Sequence, residues 1–414
     1  MSGRVIAKNS IFLLMSSVFQ KIVGFVYFIF LTHSLVPDSV GKYSFAFSFS
    51  LIFCVFMDFG TNALLIRETS RDESKMNKYT NNIFVLELIL CAIFISLSVL
   101  CVNLLGYPEI TRQLVYIAIF SVAIDNLSTT FYAVLRGKQQ IWFESLGYAA
   151  YQVIVLTLGF ILVKRGAPLI FLALPPLVAS CVNFVYSFIV VHKKTDFKLH
   201  LTFDFEFIKS LVIAALPFAL TGIFTKLYSS LDSLFLSWFS TDENIAYYQA
   251  AFKLVFALQF IPIALGSAIY PAFSKYFKED KAQLKNTFEK SFVILSIVAI
   301  PLSFGMFAIS SDIINLVYPS YHSSIPVLQI FSASFFFMFL NTPLGLSLSA
   351  CDRQKVNTRN SFISMMTNLI LNWIFIPIFG IVGAAGASVV SFIVLFTMNF
   401  IESKKVIDFK ISYI

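Results

Sequence analysis

Stretches of twenty or more mostly apolar residues follow one another along this chain, separated by short polar connections. A hydrocarbon core about 30 Å thick takes about 20 apolar residues per helix, so each stretch is long enough to cross a bilayer. Twelve segments qualify: 9–35, 42–66, 81–105, 111–135, 142–163, 168–191, 209–239, 246–272, 290–310, 325–350, 357–379 and 381–403. Composition agrees, since 58% of the 414 residues are apolar and 13% charged, against roughly 45–50% and 25% in soluble domains. Such a chain cannot cover its surface in water, and lipid is its solvent. A closed barrel would need alternating polar and apolar residues in runs of about ten, and that pattern is absent. The expected fold is an all-α integral membrane protein with twelve transmembrane helices. The first apolar run follows Arg4 and Lys8 and is too long for a signal peptide, so it reads as a retained helix.

The basic residues orient these helices, because short cytoplasmic loops hold the excess of Lys and Arg. With the N-terminus inside, 23 of the 30 fall in inside segments, from Arg4 and Lys8 to Lys404, Lys405 and Lys410. Four fall outside (Lys42, Arg112, Lys164, Arg165) and three within the membrane (Lys21, Lys226, Lys253). The expectation is a multi-pass protein of the cell (inner) membrane with both termini cytoplasmic. The net charge of +8 is thus an orientation signature and no sign of nucleic acid. The five cysteines are scattered in apolar surroundings without a metal or disulfide pattern, and read as small packing residues.

The two halves of the chain match each other. At an offset of 205, Phe30-Leu31 falls on Phe235-Leu236, Tyr43 on Tyr248 and Ala46-Phe47 on Ala251-Phe252. At 211, Tyr107-Pro108 falls on Tyr318-Pro319, and at 215 Lys138-Gln139 falls on Arg353-Gln354. Six helices per half make this a parallel repeat, related by an axis along the membrane normal. The organisation expected is a six-helix bundle over 1–191, a charged cytoplasmic linker over 192–208 and a second six-helix bundle over 209–414.

Several segments resemble the polysaccharide-transporter branch of the multidrug/oligosaccharidyl-lipid/polysaccharide exporter superfamily, which includes O-antigen and other lipid-linked oligosaccharide flippases. They are Gly41 and Tyr43 through Gly60-Thr61-Asn62-Ala63-Leu64-Leu65-Ile66-Arg67-Glu68; Tyr247-Tyr248-Gln249-Ala250-Ala251-Phe252-Lys253-Leu254 with Ile261-Pro262 and Tyr270-Pro271; and Ile376-Pro377-Ile378-Phe379-Gly380-Ile381-Val382-Gly383-Ala384-Ala385-Gly386-Ala387. The resemblance implies two pseudo-symmetric bundles around a V-shaped cavity, alternating access between leaflets, and a polyprenyl-(pyro)phosphate-linked glycan as substrate. It implies as pathway partners a glycan polymerase and glycosyltransferases.

Charges inside the membrane mark candidate sites, since each costs at least about 2.5–3.5 kcal/mol at mid-bilayer and faces a cavity or a partner. Lys21 stands roughly 18–20 Å from either end of its segment at 1.5 Å per residue, too deep to snorkel. The offset of 205 places Lys21 on Lys226. Each shares a helical face with small or polar residues, Ser17 and Gly24 for Lys21, and Gly222, Ser230, Ser233 and Ser237 for Lys226. Two readings stand: the pair engages the (pyro)phosphate of the lipid carrier, or each lysine pairs with a buried carboxylate. Asp232 and Lys253, at similar depth on adjacent segments, suggest a structural ion pair. Asp58 and Asp125 either titrate in ion-coupled transport or hydrogen-bond to a neighbouring helix. Glu87 and Glu144, near inner ends, read as boundary residues. Pro217, Pro262, Pro301, Pro343 and Pro377 are expected to kink helices.

No catalytic or ATP-binding motif appears, so no enzyme activity and no cofactor is expected, and the energy is expected from a coupling ion, H+ or Na+, the membrane potential, or consumption of the flipped lipid. An ion-coupled multidrug or metabolite antiporter of the same superfamily is the alternative, and would more naturally show an acidic cavity. A membrane glycan polymerase or ligase would carry a large outer loop.

Overall fold

A bilayer offers no hydrogen-bond partners, so a backbone within it must satisfy itself, and an α-helix does so within one segment. The computed structural model describes residues 3–409, without the side chains of 3–14 and of residues 17, 217, 218, 221, 225, 228, 229 and 268. The expectations on Arg4, Lys8, Ser17, Pro217 and Lys410 therefore lie outside the described side chains or residues. Fourteen α-helices run in order: α1 Gly3–Ser34, α2 Pro37–Asp58, α3 Thr61–Arg71, α4 Met76–Leu104, α5 Glu109–Gly137, α6 Trp142–Lys164, α7 Leu174–Lys194, α8 Phe205–Phe239, α9 Asp242–Ala257, α10 Phe260–Glu279, α11 Lys281–Ala308, α12 Ser310–Val317, α13 Ser324–Ala350 and α14 Gln354–Lys404. No strand occurs among the described residues. Nine helical stretches there are long and apolar enough to cross a membrane. The predicted spans lie on helix, two of them divided and the last two joined in one interrupted helix.

The second predicted span is broken between α2 and α3, where Phe59 (φ 45°) and Gly60 (φ 74°) enter the left-handed region. Only glycine adopts that conformation without a Cβ penalty. At Gly60 a Cβ would also sit 2.4 Å from the backbone nitrogen of Ala219 on α8, so the backbone of α8 passes directly against the break. The eighth span divides into α9 and α10 at Leu258-Gln259. Pro262 then falls in the first turn of α10, where its missing N–H costs nothing. The long α14 is interrupted at Gly380 (φ 58°, ψ −135°), the point that separates the last two predicted spans. Pro301 and Pro343 lie inside continuous helices, α11 and α13.

The chain divides into two compact units, Met1–Ser34 with Lys42–Leu231, and Leu35–Gly41 with Asp232–Ile414. In the first, α5 packs on α4, α3 and α7, while α6 packs on α1 and α7. Its core gathers Phe84, Phe131 and Phe197, with Phe131 centred 5.3 Å from Phe84 and 6.0 Å from Phe197. In the second, α13 packs on α9, α10, α11 and α14.

The charged segment after α7 is strapped to α4 in the first unit. Asn77 donates to the carbonyl of Asp196 (3.0 Å) and accepts from the N–H of Lys198 (2.9 Å). Asn81 does the same for Lys198 and His200, at 3.0 and 2.9 Å, and Asn82 accepts from the N–H of Asp204 at 3.0 Å. Two carboxamides one helical turn apart thus serve alternate residues of an extended chain, as a neighbouring strand would.

Candidate functional site

In the first unit the helix break at Phe59-Gly60 organises a buried polar cluster. The Asp58 carboxylate accepts from the backbone N–H of Asn62 at 3.2 Å, so it caps α3, where an anion is favoured by the unpaired N–H groups of the first turn. Thr61 Oγ1, the first residue of α3, lies 2.6 Å from the Asp58 carbonyl oxygen and 2.8 Å from Glu87 Oε1. Thr130 of α5 donates to Glu87 Oε2. Glu87 is 0% exposed, which corrects the expectation that it reaches the interface: its face of α4 turns toward α3 and α5. Asn62 is tied to α5 through a 2.9 Å bond to Thr129 Oγ1.

Glu144 is likewise buried, at 3% exposure, and is paired with Arg136 through two hydrogen bonds, that from Nε measuring 2.7 Å. The boundary reading fails here too, because the guanidinium comes to the carboxylate as a fork. Asp125 accepts from Asn183 Nδ2 at 3.4 Å, and the Asn183 carbonyl accepts from Tyr132 at 2.5 Å. Gly147 makes room for this pair, since a Cβ there would sit 1.9 Å from the Tyr132 hydroxyl.

Both candidate lysines fall in this first unit. Lys21 is half-buried on α1, and among the described residues no carboxylate forms an ion pair with it. Gly24, one turn along, faces α6, where a Cβ at Gly24 would sit 4.0 Å from the carboxamide of Gln152. Lys226 is exposed on α8 and lies within charge–charge range of Asp125 and Cys54. Its stripe is open only in part: a Cβ at Gly222 would meet nothing within 4 Å, whereas Ser230 and Ser233 are buried. The far end of the stripe faces protein, where Ser233 accepts from Gln249 of α9 at 2.7 Å.

In the second unit Asp232 is 2% exposed and accepts four neutral hydrogen bonds. Oδ1 takes the amides of Asn368 (3.2 Å) and Asn372 (2.5 Å), and Oδ2 takes the hydroxyls of Ser388 (2.7 Å) and Tyr248. Where the sequence suggests an ion pair with Lys253, the groups set on this carboxylate are amides and hydroxyls. Lys253 itself is half-buried on α9. The site continues a seam that single-residue reasoning misses. Asn360, Ser364, Asn368 and Asn372 recur every four residues along α14 and meet Asn399, Ser391 and Ser388 beyond the Gly380 interruption. Asn399 also donates to Asn341 of α13 at 2.8 Å. The signal was Asn or Ser at every fourth residue of an apolar run, one helix face. No group of three His, Cys, Asp or Glu side chains able to hold a metal occurs among the described residues.

Comparison with known proteins places this architecture. The probable low-salt glycan biosynthesis flippase Agl15 of Haloferax volcanii is 25% identical over 395 residues, covering 94% of this chain and 81% of that protein. The capsular polysaccharide biosynthesis protein CapF of Staphylococcus aureus is 22% identical over 391 residues, covering 91% and 94%. Among solved structures, the lipid II flippase MurJ in an inward closed conformation superposes with a TM-score of 0.78 at 16% identity, covering 96% of this chain and 87% of that one. The MatE family model matches residues 217–374. The model of the polysaccharide biosynthesis protein family matches residues 6–277, well over half of the sequence, and the chain belongs to that family.

Proposed function

We propose that the chain is a flippase that carries a polyprenyl-(pyro)phosphate-linked oligosaccharide repeat unit, for an O-antigen or another surface polysaccharide, from the cytoplasmic to the outer leaflet by alternating access. The family supports transport of a lipid-linked glycan, and the relatives bear flippase names. The observation that carries the anionic substrate is Lys21, a mid-span cation with no carboxylate in an ion pair with it among the described residues. A charge left at that depth costs at least about 2.5–3.5 kcal/mol, and a phosphate brought by the substrate removes the cost during transport. Lys226 supplies the second ammonium, for which a phosphate competes with Asp125. Transport without an ATP-binding loop draws on a coupling ion, H+ or Na+, on the membrane potential, or on consumption of the flipped lipid.

Replacing Lys21 and Lys226 by Ala in a strain that depends on this protein for surface glycan tests the reading. The expected result is loss of displayed glycan, normal protein level, and accumulation of the lipid-linked unit on the cytoplasmic side. Full display at normal protein level in the double variant overturns it. The MatE match and the buried Asp232 favour a second reading, an ion-coupled exporter of cationic compounds. That reading requires deletion to raise drug sensitivity while leaving the surface glycan unchanged.

A further inference from the structure

Hydrogen atoms around Glu87 can be counted, and the count comes out one short. Two hydroxyls face its carboxyl group. Thr130 gives its hydrogen to Oε2. Thr61 Oγ1 lies 2.8 Å from Oε1, yet it lies still closer, at 2.6 Å, to the carbonyl oxygen of Asp58. A carbonyl oxygen only accepts, and a threonine carries a single hydroxyl hydrogen. That hydrogen goes to the shorter contact, where it also satisfies a last-turn carbonyl of α2. Two oxygens 2.8 Å apart then face each other between Thr61 and Glu87, and the remaining source of a hydrogen between them is the carboxyl group itself.

We propose that Glu87 is a proton-binding site of the first unit, neutral in this conformation, with its acidic hydrogen donated from Oε1 to Thr61 Oγ1. The surrounding charges favour the neutral form. Asp58 of α2 lies within charge–charge range of Glu87, and its own carboxylate is committed to capping α3. Cys54 of α2 and Cys91 of α4 are the other titratable groups in range of Glu87, while Asp125 of α5 and Lys226 of α8 act on Cys54 from farther along the unit. The Asp58 carboxylate also stands 3.4 Å from Thr61 Oγ1, and two carboxylates set about one hydroxyl cannot comfortably both be ionised. The spacings are those of hydrogen bonds and leave no room for a metal ion between the oxygens.

Position gives this proton a role. Thr61 begins α3 immediately after the left-handed residues Phe59 and Gly60, so the Glu87 hydrogen is one of the bonds that hold the break in its present geometry. Loss of the proton to water leaves a carboxylate facing Asp58 and a Thr61 lone pair, and favours rearrangement of the break. That the proton drives transport rests on the flippase reading above; that Glu87 holds it does not.

Infrared spectroscopy of the purified chain in liposomes near neutral pH decides the first point. The expected spectrum has a carboxylic-acid C=O band that disappears in Glu87→Gln and moves in Thr61→Val, which keeps Glu87 and tests the bond if the Gln variant does not fold. Absence of any band sensitive to either substitution overturns the proposal. For the second point, flipping of a lipid-linked glycan is measured with and without an imposed gradient of about two pH units, which shifts a one-proton equilibrium by up to about 100-fold. Acceleration in the native chain and none in Glu87→Gln supports coupling; equal acceleration in both removes it. If neither moves glycan while the infrared band is present, the flippase reading falls and the proton site stands.

Discussion

Asp232 and Glu87 show how donor supply sets the state of a buried carboxyl group. Around Asp232 the inventory closes on the anion: Asn368 spends its two hydrogens on Asp232 and Ser388, Asn372 on Asp232 and Asn368, and Tyr248 and Ser388 one each on Asp232. Four donors match the roughly four lone-pair sites of an ionised carboxylate. Asp232→Ala therefore leaves four buried donors unserved, at about 1 kcal/mol or more apiece, and the expected loss of stability is on the order of 4 kcal/mol. Asp232→Asn keeps one acceptor oxygen and lets the hydroxyls turn to accept, so about 1–2 kcal/mol is expected. Denaturation of the detergent-solubilised variants measures both, and an Ala variant as stable as the native chain refutes the assignment. The sequence showed Asp232 as a buried charge but not its partners, which come from α9 and both halves of α14. For Glu87 depth misled: distance from a helix end says how far a side chain can reach, while the face it occupies decides whether it reaches lipid headgroups or Thr61 and Thr130.

Helices were legible because lipid makes hydropathy a nearly complete guide to them; their interruptions were legible only where composition changes. Gly380 falls between two recognised spans, whereas the Phe59-Gly60 break lies inside one apolar run, against the backbone of α8, far away in sequence. The two glycines allow a paired test. At Gly380 an added Cβ meets nothing within 4 Å, so Gly380→Ala costs backbone strain alone, about 1–3 kcal/mol. At Gly60 the same methyl meets Ala219 N at 2.4 Å and Ala215 O at 2.9 Å, both backbone atoms that no rotamer change can move. Gly60→Ala is expected to be the more destabilising substitution and to lower glycan display, with thermal unfolding of the two variants as the measurement. An equal or smaller cost at Gly60 contradicts the close approach of α8.

At the scale of the whole molecule, the distribution of charge determines which way the chain is threaded. The connections from α3 into α4, from α10 into α11 and from α13 into α14 are rich in Lys and Arg, while those around Tyr107-Pro108 and Tyr318-Pro319 are nearly free of them. Translocating a basic connection against the membrane potential costs about 2.3 kcal/mol per charge per 100 mV, so a connection such as Lys275–Lys285, whose four lysines outweigh Glu279 and Asp280, opposes inversion by roughly 5 kcal/mol per 100 mV. The two halves carry the same bias at equivalent places, so neither can invert without the other resisting. In a cysteine-free background, His322→Cys between α12 and α13 is expected to react with an impermeant maleimide in intact cells. Lys355→Cys at the start of α14 is expected to react only after permeabilisation, and a fluorescent protein fused to the C-terminus is expected to fold and emit in the cytoplasm. Labelling of Lys355→Cys in intact cells with protection of His322→Cys would reverse the topology, and with it the direction of transport proposed for the glycan.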